Sequence, residues 1–202
     1  LLAVALGGCM GGIAGTRFAE TTEAKTGDVI PIFIATSRKM NDDGSVTSDL
    51  SAKTNYLMNL INIPKNHQTG QIERPSFGWE SRNSHFTFVG QRVLDHDKFR
   101  AEISAQLSGR VGAARDILVY VHGYNTGYDE ARFRLAQIAT DSGFTGVPVL
   151  FTWPSQNRTL AYGADKDNAT ASRDDLTTVL SELGTMPGVG RIHILAHSMG
   201  LS

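Results

Sequence analysis

The sequence is short of cysteine, of proline and of surplus charge, and each shortage removes a class of protein. One cysteine, Cys9, in 202 residues cannot build a disulfide framework or a cysteine-rich zinc site. Nothing else in the sequence calls for a metal or a cofactor. Nineteen Lys and Arg against twenty Asp and Glu leave a formal charge of -1, with no basic excess to neutralise a run of phosphates. Nucleic acid is therefore not an expected partner. Six prolines against 21 glycines point to many tight turns, and 41% hydrophobic residues suffice for a packed core and exclude a disordered chain. The length suits one domain better than two.

Residues 1–16 carry no charge, the first charged residue is Arg17, and no initiator Met is present. A short apolar run ending in small residues reads as the hydrophobic and cleavage regions of an export signal whose basic start is missing, and it is too short to span a bilayer comfortably. Leu6-Gly7-Gly8-Cys9 resembles the bacterial lipobox, in which a peptidase cuts before the cysteine and the new terminus is acylated. The resemblance implies an exported protein, lipid-anchored through Cys9 to a bacterial membrane, periplasmic or at the cell surface. The plainer alternative is an unmodified thiol in a glycine-rich leader. Residues 1–16 are thus read as an export-signal and lipobox remnant, and 17–202 as the N-terminal part of a single domain.

Val29–Ile34 is a β-rich run in which Pro31 predicts an edge strand or a bulge. Lys39–Asn55 is polar, has no apolar period and contains Asn41-Asp42-Asp43-Gly44, so it reads as a loop. Leu57–Ile63 and Phe86–Val89 read as strands. Phe99, Ile103 and Leu107 recur at helical spacing between Asp97 and Gly109, which predicts an amphipathic helix. From Asp116 onward, strands and helices alternate. Ile117–Val121 is an unbroken apolar run suited to a strand buried on both faces. A helix follows over Tyr128–Asp141, then a strand over Val147–Trp153. After a loop comes a helix capped by Ser172 with Leu176, Val179, Leu180 and Leu183 as its stripe, then a strand over Ile192–Ala196. Connections this short predict right-handed crossovers and parallel pairing of these three strands.

The last strand runs into Ala196-His197-Ser198-Met199-Gly200, small-x-Ser-x-Gly where a strand should turn into a helix. A serine on such a turn projects its hydroxyl above the sheet, and the flanking positions must be small to avoid collision. Ala196 adds a Cβ where glycine is the commoner choice. Acyl transfer also needs backbone N–H donors for a developing oxyanion. The N–H of Met199 is one candidate, and Tyr124, made accessible by Gly123 in His122-Gly123-Tyr124-Asn125, is the other. His122 at a strand end is read as fixing that loop by hydrogen bonds rather than as a general base, and His193 and His197 as core and elbow packing. Trp153 either walls an acyl pocket or packs in the core. Tyr162, Asp165 and Arg173 are expected to order a loop and are assigned no chemistry.

Val119-Tyr-Val-His-Gly-Tyr-Asn125, Phe151-Thr-Trp-Pro-Ser155, Tyr162 with Asp165, and Ala196-His-Ser-Met-Gly200 together resemble an uncharacterised esterase/lipase-like family of bacterial α/β hydrolases. The similarity extends upstream through Ala35-Thr-Ser-Arg38 and Ile63-Pro64 with His67 and Gly70, covering about residues 29–202. It implies the three-layer α/β-hydrolase fold with a mostly parallel sheet, a serine nucleophile at Ser198 and hydrolysis of an ester or related acyl bond in a small molecule. One departure stands out. In this fold the order is Ser, then Asp or Glu, then His, yet only four residues follow Ser198 and all six histidines precede it. A chain truncated after the elbow is the expectation, and such a fragment would not turn over. The competing functions are a non-catalytic surface lipoprotein that keeps the fold for binding, and an acyltransferase or peptidase using the same serine.

Overall fold

Two apolar runs, β4 (Ile117–Val121) and β5 (Val147–Thr152), lie side by side with every residue buried, as strands covered on both faces require. The computed structural model describes residues 28–198. Its other elements are β1 (Asp28–Met40), β2 (Val46–Ile63), β3 (Thr87–Leu94), α1 (His96–Leu107), a 3₁₀ turn (Gly112–Arg115), α2 (Tyr128–Asp141), α3 (Tyr162–Ala171), α4 (Arg173–Thr185) and β6 (Ile192–Ala196). The six strands form one sheet in the order β3-β2-β1-β5-β4-β6. β1, β5, β4 and β6 pair in parallel, while β2 is antiparallel to both its neighbours. The three strands expected to be parallel after Asp116 are so.

Alternation along the strands sends side chains to two cores. On one face Phe33, Val119 and Phe151 meet Phe99, Ile103 and Leu107 of α1 and Val179 and Leu183 of α4, with Phe33 and Phe99 edge to face at 5.9 Å. On the other face Ile32, Ile34, Tyr120 and Leu150 meet Ala131, Phe133, Leu135 and Ala136 of α2. Helices on both faces complete the three layers of the α/β-hydrolase fold. Burying each α1 side chain stabilises the packing by roughly 1.5–3 kcal/mol.

Several expectations need correction. β1 is an inner strand, third in the sheet, and not an edge. Its ladder with β5 runs only from Phe33 to Thr36 against Val149 to Thr152, so Pro31 and Pro148 both fall where the two strands have parted. Neither donorless nitrogen interrupts that ladder, and a cavity of about 220 Å³ opens there. The polar stretch Lys39–Asn55 is not a loop but mostly a hairpin. Asn41 and Ser45 close its turn, with Gly44 at φ 81°, and the strands beyond it pair with little burial, which is why no apolar period marks them. α1 begins at His96, earlier than the Asp97 boundary, and is capped by Asp95, whose side chain accepts from the Lys98 N–H. Ser172 makes no cap bond: its hydroxyl donates to Asn168 O and meets Ser37 Oγ. The loop expected before it is instead α3.

Candidate active site

The carboxyl ends of β1, β5, β4 and β6 share one edge of the sheet, where open α/β folds bind their ligands. Ala196 pairs with Val121, and the His197 N–H donates to Val121 O at 3.0 Å, so β6 ends beside the end of β4. The next residue, Ser198, has φ 53°, a left-handed backbone that costs a non-glycine residue about 1–3 kcal/mol. Gly123, just past β4, lies against it. A Cβ there would stand 2.5 Å from His197 Nδ1, 2.8 Å from His197 O and 2.9 Å from Ser198 Cβ. Glycine is the one residue that lets the two loops meet. Cys9, Met199 and Gly200 lie outside the described residues.

Tyr124 follows Gly123. Its hydroxyl donates to Arg158 O at 3.3 Å and to Thr159 O, and its ring meets Tyr162 edge to face at 5.4 Å. Asn125 then takes φ 55° and gives its N–H to Asp165 Oδ2 at 3.2 Å. Asp165 is fully buried and also accepts from Ser155 Oγ at 2.6 Å and from the Gln156 N–H at 2.7 Å. One carboxylate therefore fastens the loop after β4 to the loop after β5. Sequence reasoning set Asp165 aside as a loop residue. No local pattern marks it; it entered only beside Tyr162 among the residues that carry the family resemblance.

Arg38 is the second residue that sequence reasoning left without a role. It is buried at the end of β1, where Nε donates to Thr152 Oγ1 at 3.0 Å and the two Nη groups donate to the carbonyls of Thr47, Thr126 and Ser155 at 3.2–3.4 Å. Burial lowers its pKa to about 10, against the pull of Tyr128 and Asp165, so it stays charged at neutral pH. It ties the hairpin, the β4 loop and the β5 loop together.

His122 is fully buried, with Nδ1 2.9 Å from Gly123 O and Nε2 2.9 Å from Thr152 Oγ1 and 3.1 Å from Trp153 O. Burial, then the charge of Arg38, push its pKa down to about 3, so it is neutral at working pH and braces the loop. Trp153 stacks on it at 4.8 Å and donates Nε1–H to His122 O at 3.0 Å. The indole is 2% exposed, which makes it core rather than the wall of a pocket. His193 is not core: its side chain is 48% exposed, and Nε2 meets Asp116 Oδ2 at 2.9 Å, tying the start of β6 to that of β4. His197 is exposed.

A second, open groove of about 810 Å³ lies between the hairpin turn, β3 and the start of α2. Among the described residues no three His, Cys, Asp or Glu side chains are grouped as metal ligands. His67 has two carboxylate neighbours, but Glu73 sits at Nδ1 and Asp141 at Nε2, on opposite sides of the ring.

A left-handed serine after a parallel strand, a glycine-lined loop pressed against it, and helices on both faces of the sheet define an α/β hydrolase. The family model for alpha/beta hydrolases of unknown function (DUF900) matches residues 95–202. The chain belongs to that family. Neither the curated proteins nor the solved structures compared with it include a match.

Proposed function

We propose that this protein is a serine hydrolase that cleaves carboxylic esters or related acyl bonds, with Ser198 as nucleophile. The observation that carries the reading is the left-handed backbone of Ser198 at the end of β6, beside the loop that follows β4. Ser198 Oγ attacks the acyl carbon as its proton passes to a general base. The leaving group departs protonated, and water then releases the acid and restores the serine. The backbone N–H groups of Met199 and Tyr124 are the proposed oxyanion donors, each contributing on the order of 10²–10³-fold. His122 is not the proposed base: it is enclosed, both ring nitrogens are engaged by Gly123 O and Thr152 Oγ1, and burial makes it too weakly basic for the task. The anchored, exported state through Cys9 is part of the same proposal.

Reaction of the full-length protein with a fluorophosphonate, followed by mapping of the labelled peptide, tests it. Labelling at Ser198 is expected, and Ser198→Ala should lower kcat/KM on p-nitrophenyl esters by at least about 10³-fold with the fold intact. Unlabelled protein, or a Ser198→Ala variant hydrolysing at the wild-type rate, would put the non-catalytic binding protein ahead.

A further inference from the structure

The opposite edge of the sheet carries exposed aromatic side chains that the proposed hydrolysis does not use. β1 is antiparallel to β2 with Asp28 opposite Ile63, so the chain enters the sheet at the same edge from which residues 64–86 leave it. At the tip of that segment Phe77 is 100% and Trp79 95% exposed. The base beneath them is well fixed. Phe86 N–H donates to Glu73 O, Arg74 donates to Phe86 O at 2.7 Å and lies 4.4 Å over the Phe133 ring, and His67 joins Glu73 to Asp141 of α2. Two large aromatics thus project from a rooted loop into solvent. Val111, 82% exposed in the turn leading to β4, stands on the same edge.

We propose that this edge is the membrane-facing surface of the protein, with Phe77 and Trp79 inserting into the lipid headgroup region. Trp settles at that depth because its apolar body and its N–H are both satisfied there, and Phe adds apolar area beside it. Residues 64–86 hold Lys65, Arg74 and Arg82 against Glu73 and Glu80; Arg74 is paired with Glu80 and Glu73 is held by His67, which leaves Lys65 and Arg82 as the cations of the segment that anionic lipid would attract. The position of Cys9 agrees: it precedes Asp28 by 19 residues, a reach of at most about 65 Å, and Asp28 joins the sheet at this edge. Among the described residues no helix is long and apolar enough to cross a membrane. Ser198, at the far end of β6, then faces away from the lipid. This orientation rests on the anchored reading of Cys9, whereas the aromatic contact stands by itself.

The sequence supplies its own probe, because it has two tryptophans and Trp153 is 2% exposed. The full chain carrying Cys9→Ser, which cannot be acylated there, is titrated with vesicles of phosphatidylglycerol and phosphatidylethanolamine while tryptophan emission is read. Trp79 emission should shift to shorter wavelength and be quenched by brominated acyl chains. Phe77→Ala with Trp79→Ala should weaken partitioning, followed by sedimentation, at least ten-fold. Both tip side chains are exposed, so the double variant keeps the fold. Emission unchanged at saturating lipid, or partitioning equal in the double variant, overturns the proposal. Mass spectrometry of wild-type protein from its native host reads the anchor separately. A bare Cys9 with quenched Trp79 removes the anchor and keeps the aromatic surface, and an acylated Cys9 with unquenched Trp79 does the reverse.

Discussion

Replacing Gly123 with alanine adds a single methyl group where the β4 loop meets the turn at Ser198. The new Cβ would lie 2.8 Å from His197 O and 2.9 Å from Ser198 Cβ. The first neighbour is backbone, held by the His197 N–H bond to Val121 O, so it does not swing aside as a side-chain end would. The ring of His197, 2.5 Å away at Nδ1, is exposed and moves more cheaply. Relief requires the two loops to part by several tenths of an ångström, an overpacking that costs about 1–3 kcal/mol. For a chain of this size the melting temperature should fall by roughly 2–12 °C. Activity should fall further than stability, because a displacement approaching 1 Å at a reacting atom costs on the order of 10²-fold. Gly163→Ala is the control: it sits in the first turn of α3 with open space around its Cβ, and should be neutral or stabilising by up to about 1 kcal/mol. Thermal melting and the rate of fluorophosphonate labelling measure both quantities. A Gly123→Ala protein that melts and labels like wild type would refute the close approach.

Ser198→Gly should be more stable than Ser198→Ala by about 1 kcal/mol in denaturant titrations, because glycine takes φ 53° freely, and equal stability would mean the turn is unstrained. Asp165→Asn keeps the shape but offers an amide N–H to one of the donors that the carboxylate now accepts from, Asn125 N–H, Ser155 Oγ–H or Gln156 N–H. A loss of about 1–3 kcal/mol is expected, with slower labelling of Ser198, and labelling at the wild-type rate would count against the coupling of the two loops. Burial disfavours the charged form of His67, but hydrogen bonds and charge from Glu73 and Asp141 outweigh it and raise its pKa, while both carboxylates are lowered. The raised histidine stabilises the fold fully below its unfolded value of about 6.5, and that contribution is lost as pH rises through its folded value. The carboxylates act in the opposite sense, contributing above about pH 4.3 and losing their contribution as pH falls through their lowered values. Wild type should therefore exceed His67→Gln in urea stability by more at pH 5.5 than at pH 8.5, and a gap that does not change with pH would contradict the charged bridge.

What was legible in the sequence followed from local pattern. Ile117–Val121 and Ile192–Ala196 announce themselves as buried or parallel strands, and Phe99, Ile103 and Leu107 mark the buried face of α1 without help from the rest of the chain. The elements that escaped depend on partners far away. Val46–Asn55 is a strand because the backbone of β1 pairs with it, not because its side chains bury anything. α3 has a weak stripe with only Asp165 buried, and that burial is justified by donors on two other loops. Arg38 has no role visible in the sequence until Thr152, Ser155 and Thr126 are brought to it.

The strand order bears on how the chain is assembled. β1, β2 and β3 form an antiparallel meander from neighbouring stretches of sequence, closable soon after synthesis, but the other side of β1 waits for Val149–Thr152, more than a hundred residues later. Until β5 arrives, Phe33–Thr36 presents unpaired backbone and apolar side chains, the arrangement by which nascent sheets recruit the wrong strand. The pairing of β1 with β5 is thus a non-local step, of the kind whose loop-closure entropy slows folding. Conditions or substitutions that delay the docking of β5 lengthen the life of that open edge, and aggregation of newly made chains, more than loss of final stability, is where their effect is felt.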